Sequence, residues 1–428
     1  MKNADYAKQK ELVRNLAKQV ADIAALPIQQ KTLNEWKAVN ALKPVRPMFM
    51  LDQLPWEQLQ CDELKCVCED GYCRMFEYMF REILYRWKHI QDDKVIFPEV
   101  RLFPPVRISP HGIEPKQKYL EGKGGANIRA HVCEEDLLQT KEDIENIKYA
   151  EVSADENAAR ESLSRAQELL DGILKVRQAG IVGYGAAWDR ISLFHGVENS
   201  ITDIIDRPEF VHKYLEKMLT VMCDEVDKYE KFGLIGVGEP YIHYAGAFTD
   251  ELPGYNGESE QELEGYRHSA KYAWTMGMAQ IFSMVSPEIH KEFEIDYQKR
   301  YYSRFGLGYY GCCEPLDRKI DIIRQLPNVR KISMSPWVDM ERGAEAMGGD
   351  YVFSRKPNPA FLASDEAWRP ELVRKDLEEA CRISAKYSNP CELILKDVST
   401  IGNKPERLWE WAKIAAEVCG RQTNKKEA

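Results

Sequence analysis

The apolar positions change period along the chain, from helical spacing near the start to short apolar runs alternating with helical stretches in the second half. Leu12, Leu16, Val20, Ile23 and Leu26 recur every three or four residues, which predicts one or two amphipathic helices over 8–40. Pro44 and Pro47 end that pattern. MFML at 48–51 has the character of a buried strand, followed by Asp52, Gln53 and the Pro55-Trp56 turn. An apolar stripe of helical period, including Met75, Phe76, Met79, Phe80 and Ile83, predicts a helix over the second half of 61–88, and VIFPEVRLF at 95–103 is the next strand candidate.

From about 104 to 153 the chain turns polar and Gly-rich, an excursion too long for a simple connection. Its GKGG lacks the spacing and the Lys-Ser/Thr ending of a phosphate-binding loop. A helix over 154–176 leads to the strand-like IVGYGAAW, and helices follow over 190–206 and 208–231. Further strand candidates stand at 234–237 or 241–244, then at 272–276, 306–310, 329–333, 351–354 and 393–395. Helical stretches at 287–305, 318–325, 340–347 and 370–387 lie between most of them. This alternation predicts an α/β fold, a (β/α)8 TIM barrel over 44–428, with N-terminal helices (1–43) packed on it and the long excursion inserted. A doubly wound open sheet is the alternative.

Composition narrows the function classes. A net charge of −10, with both signs interspersed, offers no basic stripe for nucleic acid. No apolar run reaches membrane-spanning length and the first residues do not resemble a signal peptide, so a cytoplasmic location is expected. Eleven cysteines fit a reducing compartment. Cys61, Cys66, Cys68 and Cys73 lack the paired spacing of structural zinc sites and are expected to be packing residues.

Active sites of such barrels form at the carboxyl ends of the strands, so the residues that follow each strand are the candidates. Glu314, Tyr310, Asp250 and Glu251 are the candidate catalytic residues. His243, Lys356, Asn358, Asp397 and Trp56 are the candidate substrate contacts, while many of the other acids after strands would simply cap helices. Gly306, Gly308 and Gly311 satisfy a dinucleotide-binding spacing but lie within a strand that follows a helix, the wrong context for it. Cys312-Cys313 has three readings: a zinc ligand pair, a redox thiol, or a buried packing cysteine. Alternation along a persisting strand would turn only one sulfur to the mouth.

The run YYGCCEPLDRKIDIIRQLPNVRKISMSPWVDMERGAEAMGGDYVFSRKPNP, the AGAFTDELP segment and the closing LILKDVSTIG resemble the uroporphyrinogen decarboxylase superfamily, and within it a bacterial branch of corrinoid-dependent methyltransferases. The resemblance spans about 44–418. It implies a (β/α)8 barrel that moves a methyl group between a small methylated compound and a corrinoid (cobalamin) on a partner protein, with zinc on Cys312 or Cys313. The arginine-rich segment by which tetrapyrrole decarboxylases hold their substrate is replaced here by Met50-Leu51-Asp52-Gln53-Leu54-Pro55, so uroporphyrinogen decarboxylation itself is not expected. The family's zinc-binding His-x-Cys becomes Tyr310-Gly311-Cys312, and its later cysteine is missing from Lys396-Asp397-Val398. Alternatives are a lyase acting on a non-tetrapyrrole acid and a non-catalytic corrinoid- or tetrapyrrole-binding protein.

Overall fold

The structure is a computed structural model that describes residues 3–115, 120–121, 127–128, 133 and 135–421. Two N-terminal helices, α1 (Asn3–Ala24) and α2 (Pro27–Asn40), precede the first strand, β1 (Met48–Leu51). Helix α3 (Gly71–His89) starts where Asp70 accepts the backbone N–H groups of Tyr72 and Cys73, an N-cap that fixes the first turn. The remaining strands of the central array are β2 (Glu99–Leu102), β3 (Lys175–Gln178), β4 (Gly183–Tyr184), β5 (Trp274–Gly277), β6 (Leu307–Tyr310), β7 (Val329–Met334), β8 (Val352–Arg355) and β9 (Cys391–Leu395). Between most of the later strands run helices, as the alternation predicts.

Seven strands form one parallel sheet in the order β1-β9-β8-β7-β6-β5-β4. β3 and β4 lie on one stretch of chain, and β3 pairs in parallel with β2. Apart from β1 and β2, each strand pairs with, or runs on into, the next in sequence, and the last pairs with the first. That cyclic order is TIM-barrel-like, unlike the reversing order of a doubly wound sheet. Among the described residues no ladder joins β1 to β2. There the carboxylates of Asp93 and Asp92 accept from the N–H groups of Phe49 (2.9 Å) and Leu51 (3.0 Å), and Arg46 and Arg86 neutralise them. These side chains, together with the backbone N–H of Asp93 donating to the Phe49 carbonyl, satisfy the β1 edge that a strand would otherwise cover.

Alternate residues along the strands segregate cleanly. Phe49, Leu51, Tyr310, Ile332, Phe353 and Leu393 pack against the helical layer. Met48, Met50, Trp274, Leu307, Tyr309, Val352 and Ile394 form an inner cluster. That inner cluster also contains Trp36 of α2 and the residues Ile242, Ala245, Ala247 and Phe248. Ile242 and Ala245 belong to a short antiparallel hairpin, Tyr241–Ile242 against Ala245–Gly246, lodged inside the barrel, and Ala247 and Phe248 follow it directly. Segment 234–237, the other strand candidate of this region, makes only a single parallel bridge, Ile235 to Ile181. At the base of the hairpin, Asn40 donates to Gly246 and Phe248, and a β-carbon on Gly246 would stand 2.4 Å from the Trp36 ring. α2 thus closes the amino-terminal end of the barrel, whereas α1 packs through Val13, Leu16, Ala17 and Val20 on Phe76 and Phe80 of α3.

The excursion is stitched at its root, where Val106–Ile108 pairs with Val152–Ala154. The GKGG stretch lies outside the described residues. Cys68 and Cys73 are buried and Cys61 is exposed, all as free thiols. Among the described residues no helix is long and apolar enough to cross a membrane.

Candidate functional site

The mouth is built where β6 ends. Gly311 adopts φ +91°, and a β-carbon there would stand 2.3 Å from Leu316, so only glycine makes this turn. The turn interrupts the alternation of side chains. Cys312 and Cys313 consequently lie on the same side, their sulfurs 3.4 Å apart, which corrects the expectation that only one could face the mouth. Lys396, directly after β9, places its Nζ 3.3 Å from the Cys312 sulfur and 3.9 Å from that of Cys313, and it also donates to Asp397. Burial opposes the charge on Lys396, but the two thiols and Asp397 outweigh it and raise its pKa. Of the two cysteines, Cys313 is the more acidic, through the hydrogen bond from Cys312 and the nearby ammonium, and it is also the more exposed.

Deeper in, Lys356 follows β8 and donates to Ser354 Oγ at 3.0 Å, which exchanges a 2.8 Å hydrogen bond with Tyr309. Burial and the neighbouring charge of Lys396 bring the Lys356 pKa down to about 7, against attraction from Glu392. His243 and Tyr244 form the two-residue tip of the internal hairpin, both in the left-handed region, as a tight hairpin turn of this twist requires. The His243 ring lies 4.9 Å from that of Tyr309, and Tyr244 accepts from Gln53 at 2.8 Å. Burial first, then Lys356 and Lys396, hold His243 neutral. Tyr184, Met276 and Met278 complete the wall beside Cys312.

Several candidates sit elsewhere. Tyr310 has the wrong parity for the interior: it is fully buried against the helices and shares a 2.6 Å hydrogen bond with His290. Its neighbour Tyr309 faces inward instead. Glu314 is fully buried beneath the cysteine turn and accepts the N–H groups of Cys312 (3.0 Å) and Ala279 (3.2 Å). Burial raises its pKa against those bonds, and both oxygens are spent positioning the ends of β5 and β6. Asp250 and Glu251 lie at the opposite end of the barrel, because the hairpin returns the chain there. Asp250 pairs with Lys37 of α2 at 2.6 Å, and Glu251 with Arg330 at the start of β7. Asn358 caps the short helix Pro359–Leu362, and Trp56 packs edge-on to Tyr85. His243, Lys356, Asp397, Cys312 and Cys313 are the candidates that come together.

Tyr244, Tyr309, Tyr184 and Ser354 are mouth or inner residues that sequence reasoning passed over. Strict parity along β6 and β8 would have singled out Tyr309 and Ser354. Nothing in the sequence marks Tyr244, whose turn lacks the usual Asn or Gly.

Among the described residues no three His, Cys, Asp or Glu side chains are grouped to hold a metal ion. At the mouth, Cys312, Cys313 and Asp397 lie together, and there the Lys396 ammonium already touches the sulfurs and the carboxylate. As arranged, these donors do not fit zinc.

No protein-family model and no curated protein matches the chain. Among solved structures, it resembles a methyltransferase from Methanosarcina mazei with 10% identity and a TM-score of 0.46, over 90% of this chain and 98% of that one. That likeness is too loose to carry a functional argument.

Proposed function

We propose that this chain transfers a methyl group between a small methylated compound and a corrinoid carried by a partner protein. The observation that carries the reading is the thiol pair at the open end of the barrel, where Cys313 is half-buried, comparatively acidic and beside the Lys396 ammonium. A soft sulfur nucleophile so activated can take a methyl group by displacement, with the leaving oxygen or nitrogen collecting a proton at the mouth. The resemblance of the YYGCCEPLD and LILKDVSTIG segments to corrinoid-dependent methyltransferases supports the same reading. A corrinoid, once bound, would supply the cobalt that receives or donates the methyl group. The chain's own part is to activate the thiol through Lys396, to hold Lys396 through Asp397, and to fix the cysteine turn through Glu314.

The test is methyl transfer to free cob(I)alamin from a panel of O-methyl and N-methyl compounds and methyltetrahydrofolate. Transfer that disappears in Cys313→Ser is expected. Silence of the intact protein across the panel would overturn the proposal.

A further inference from the structure

Among the described residues, the inner end of the mouth holds a buried cation without a counter-charge and a buried ring nitrogen without a hydrogen-bond partner. Lys356 is 3% exposed, and among the described residues no carboxylate lies within 4.0 Å of it. Its hydrogen bond goes to an uncharged hydroxyl, and its Nζ stands 5.0 Å from the centre of the Tyr309 ring. The same Tyr309 ring is met, centre to centre at 4.9 Å, by His243, 9% exposed and close enough to feel the Lys356 charge, whose Nε2 is buried with no hydrogen-bond partner among the described residues. Buried polar groups are almost always paired, and an orphan of this kind at a mouth points to a ligand. The His243–Tyr244 tip holds left-handed backbone at two non-glycine residues, a conformation that costs energy and clusters at ligand sites.

The charges around Lys356 do not remedy its isolation. Glu392 on β9 is engaged by Lys331 of β7 at 2.6 Å, while Lys396 after β9 adds a like charge. From β6 come Tyr309 and Cys312, and from the hairpin the neutral His243. The chamber is short of one negative charge.

We propose that Lys356 and His243 together receive the carboxylate of a small organic acid, one oxygen on the lysine Nζ and the other on the imidazole Nε2–H. The remainder of the acid then points outward to Cys313. Two donors in this number suit a flat monocarboxylate, whereas phosphate would leave oxygens unpaired in a buried site. The assignment rests on the reading of this mouth as the reactive chamber, and it names the substrate class as carboxylic acids.

Calorimetric titration of the whole chain with methoxyacetate and benzoate, with their amides and with inorganic phosphate, tests it. At pH 6 at least one acid should bind at least about tenfold more tightly than its amide. Above pH 7 the affinity should fall about tenfold per pH unit, with one proton taken up on binding, because the bound anion requires protonated Lys356. Lys356→Met should weaken binding about 10- to 100-fold, and His243→Phe should weaken it independently should the lysine variant not fold. Absent binding of both acids, equal binding of amides, a preference for phosphate, a flat pH profile, or unchanged affinity in both variants would each overturn the proposal. Acid binding without methyl transfer to cob(I)alamin would defeat the proposed function and leave this site standing. Transfer from neutral methyl compounds at full rate in Lys356→Met would do the reverse.

Discussion

At the amino-terminal end of the barrel interior, Lys331 and Glu392 are both fully buried and meet at 2.6 Å, and Lys331 also donates to the Gly246 carbonyl between the Trp36 and Trp274 rings. At the carboxyl end, Lys356 is buried to nearly the same degree but, among the described residues, bonds only Ser354, beside a histidine whose Nε2 has no partner there. Both lysines pay for desolvation, and only the first recovers it from an opposite charge within the protein. The pair at the base therefore belongs to the fold, holding the internal hairpin in place. The lone lysine at the mouth is what a binding site looks like before its ligand arrives.

The sharpest way to break this comparison is to remove each lysine in turn. Lys331→Met should cost about 3–5 kcal/mol in denaturant unfolding, because Glu392 is then buried without a counter-charge, and Lys331→Met with Glu392→Met should recover most of that loss. Lys356→Met should be neutral or stabilising at pH 7, since it removes an unpartnered buried cation. Equal destabilisation by the two single substitutions would erase the distinction.

A pH series sharpens the same contrast. The folded pKa of Lys356, about 7, lies below its ordinary value of 10.5, so between those pH values the unfolded chain binds more protons than the folded one. Stability contributed through Lys356 must therefore rise with pH across that window, by about 1.4 kcal/mol per pH unit. It is flat below it. Unfolding free energies of the parent minus those of Lys356→Met, measured at pH 6, 8 and 9.5, should show this slope. A difference that stays constant across the series would mean that Lys356 remains charged and is compensated in a way the geometry does not show.

The same contrast explains what could be read from sequence. Alternation of apolar strands with helices gave the barrel-like order, because β5 to β9 are short apolar runs that pair in parallel in chain order, with one register shift between β6 and β7. Where the chain departs from that pattern, the reading failed. Gly311 turns left-handed and brings both cysteine sulfurs to one side, a backbone event that residue spacing does not encode. Strand alternation from Cys312 would put Tyr310 at the mouth, but the turn at Gly311 breaks that parity and Tyr310 packs against the helices. The internal hairpin is the largest surprise: with His243 and Tyr244 at its tip it carries none of the usual turn residues, and by doubling back it carries Asp250 and Glu251 to the far end. The seam beside β1 was likewise invisible, since carboxylates rather than a strand complete its hydrogen bonds.

The smallest expected effect concerns the outer rim of the mouth, where the charge on Lys396 is shared among Cys312, Cys313 and Asp397. Alkylation by iodoacetamide, followed peptide by peptide, should modify Cys313 well before Cys312, because Cys313 is the more exposed and has its pKa lowered by the Cys312 hydrogen bond, whereas that of Cys312 is raised. Lys396→Met should then slow Cys313. For every pKa unit that loss of the ammonium adds, the thiolate fraction falls about tenfold while the nucleophilicity of the remaining thiolate rises about threefold, a net slowing of about threefold. Cys312 should stay unreactive in the same variant, since its burial does not depend on the lysine. Modification of Cys312 first, or a rate at Cys313 indifferent to Lys396→Met, would show that the ammonium does not activate the rim. The mouth would then hold two independent cysteines instead of one polarised pair.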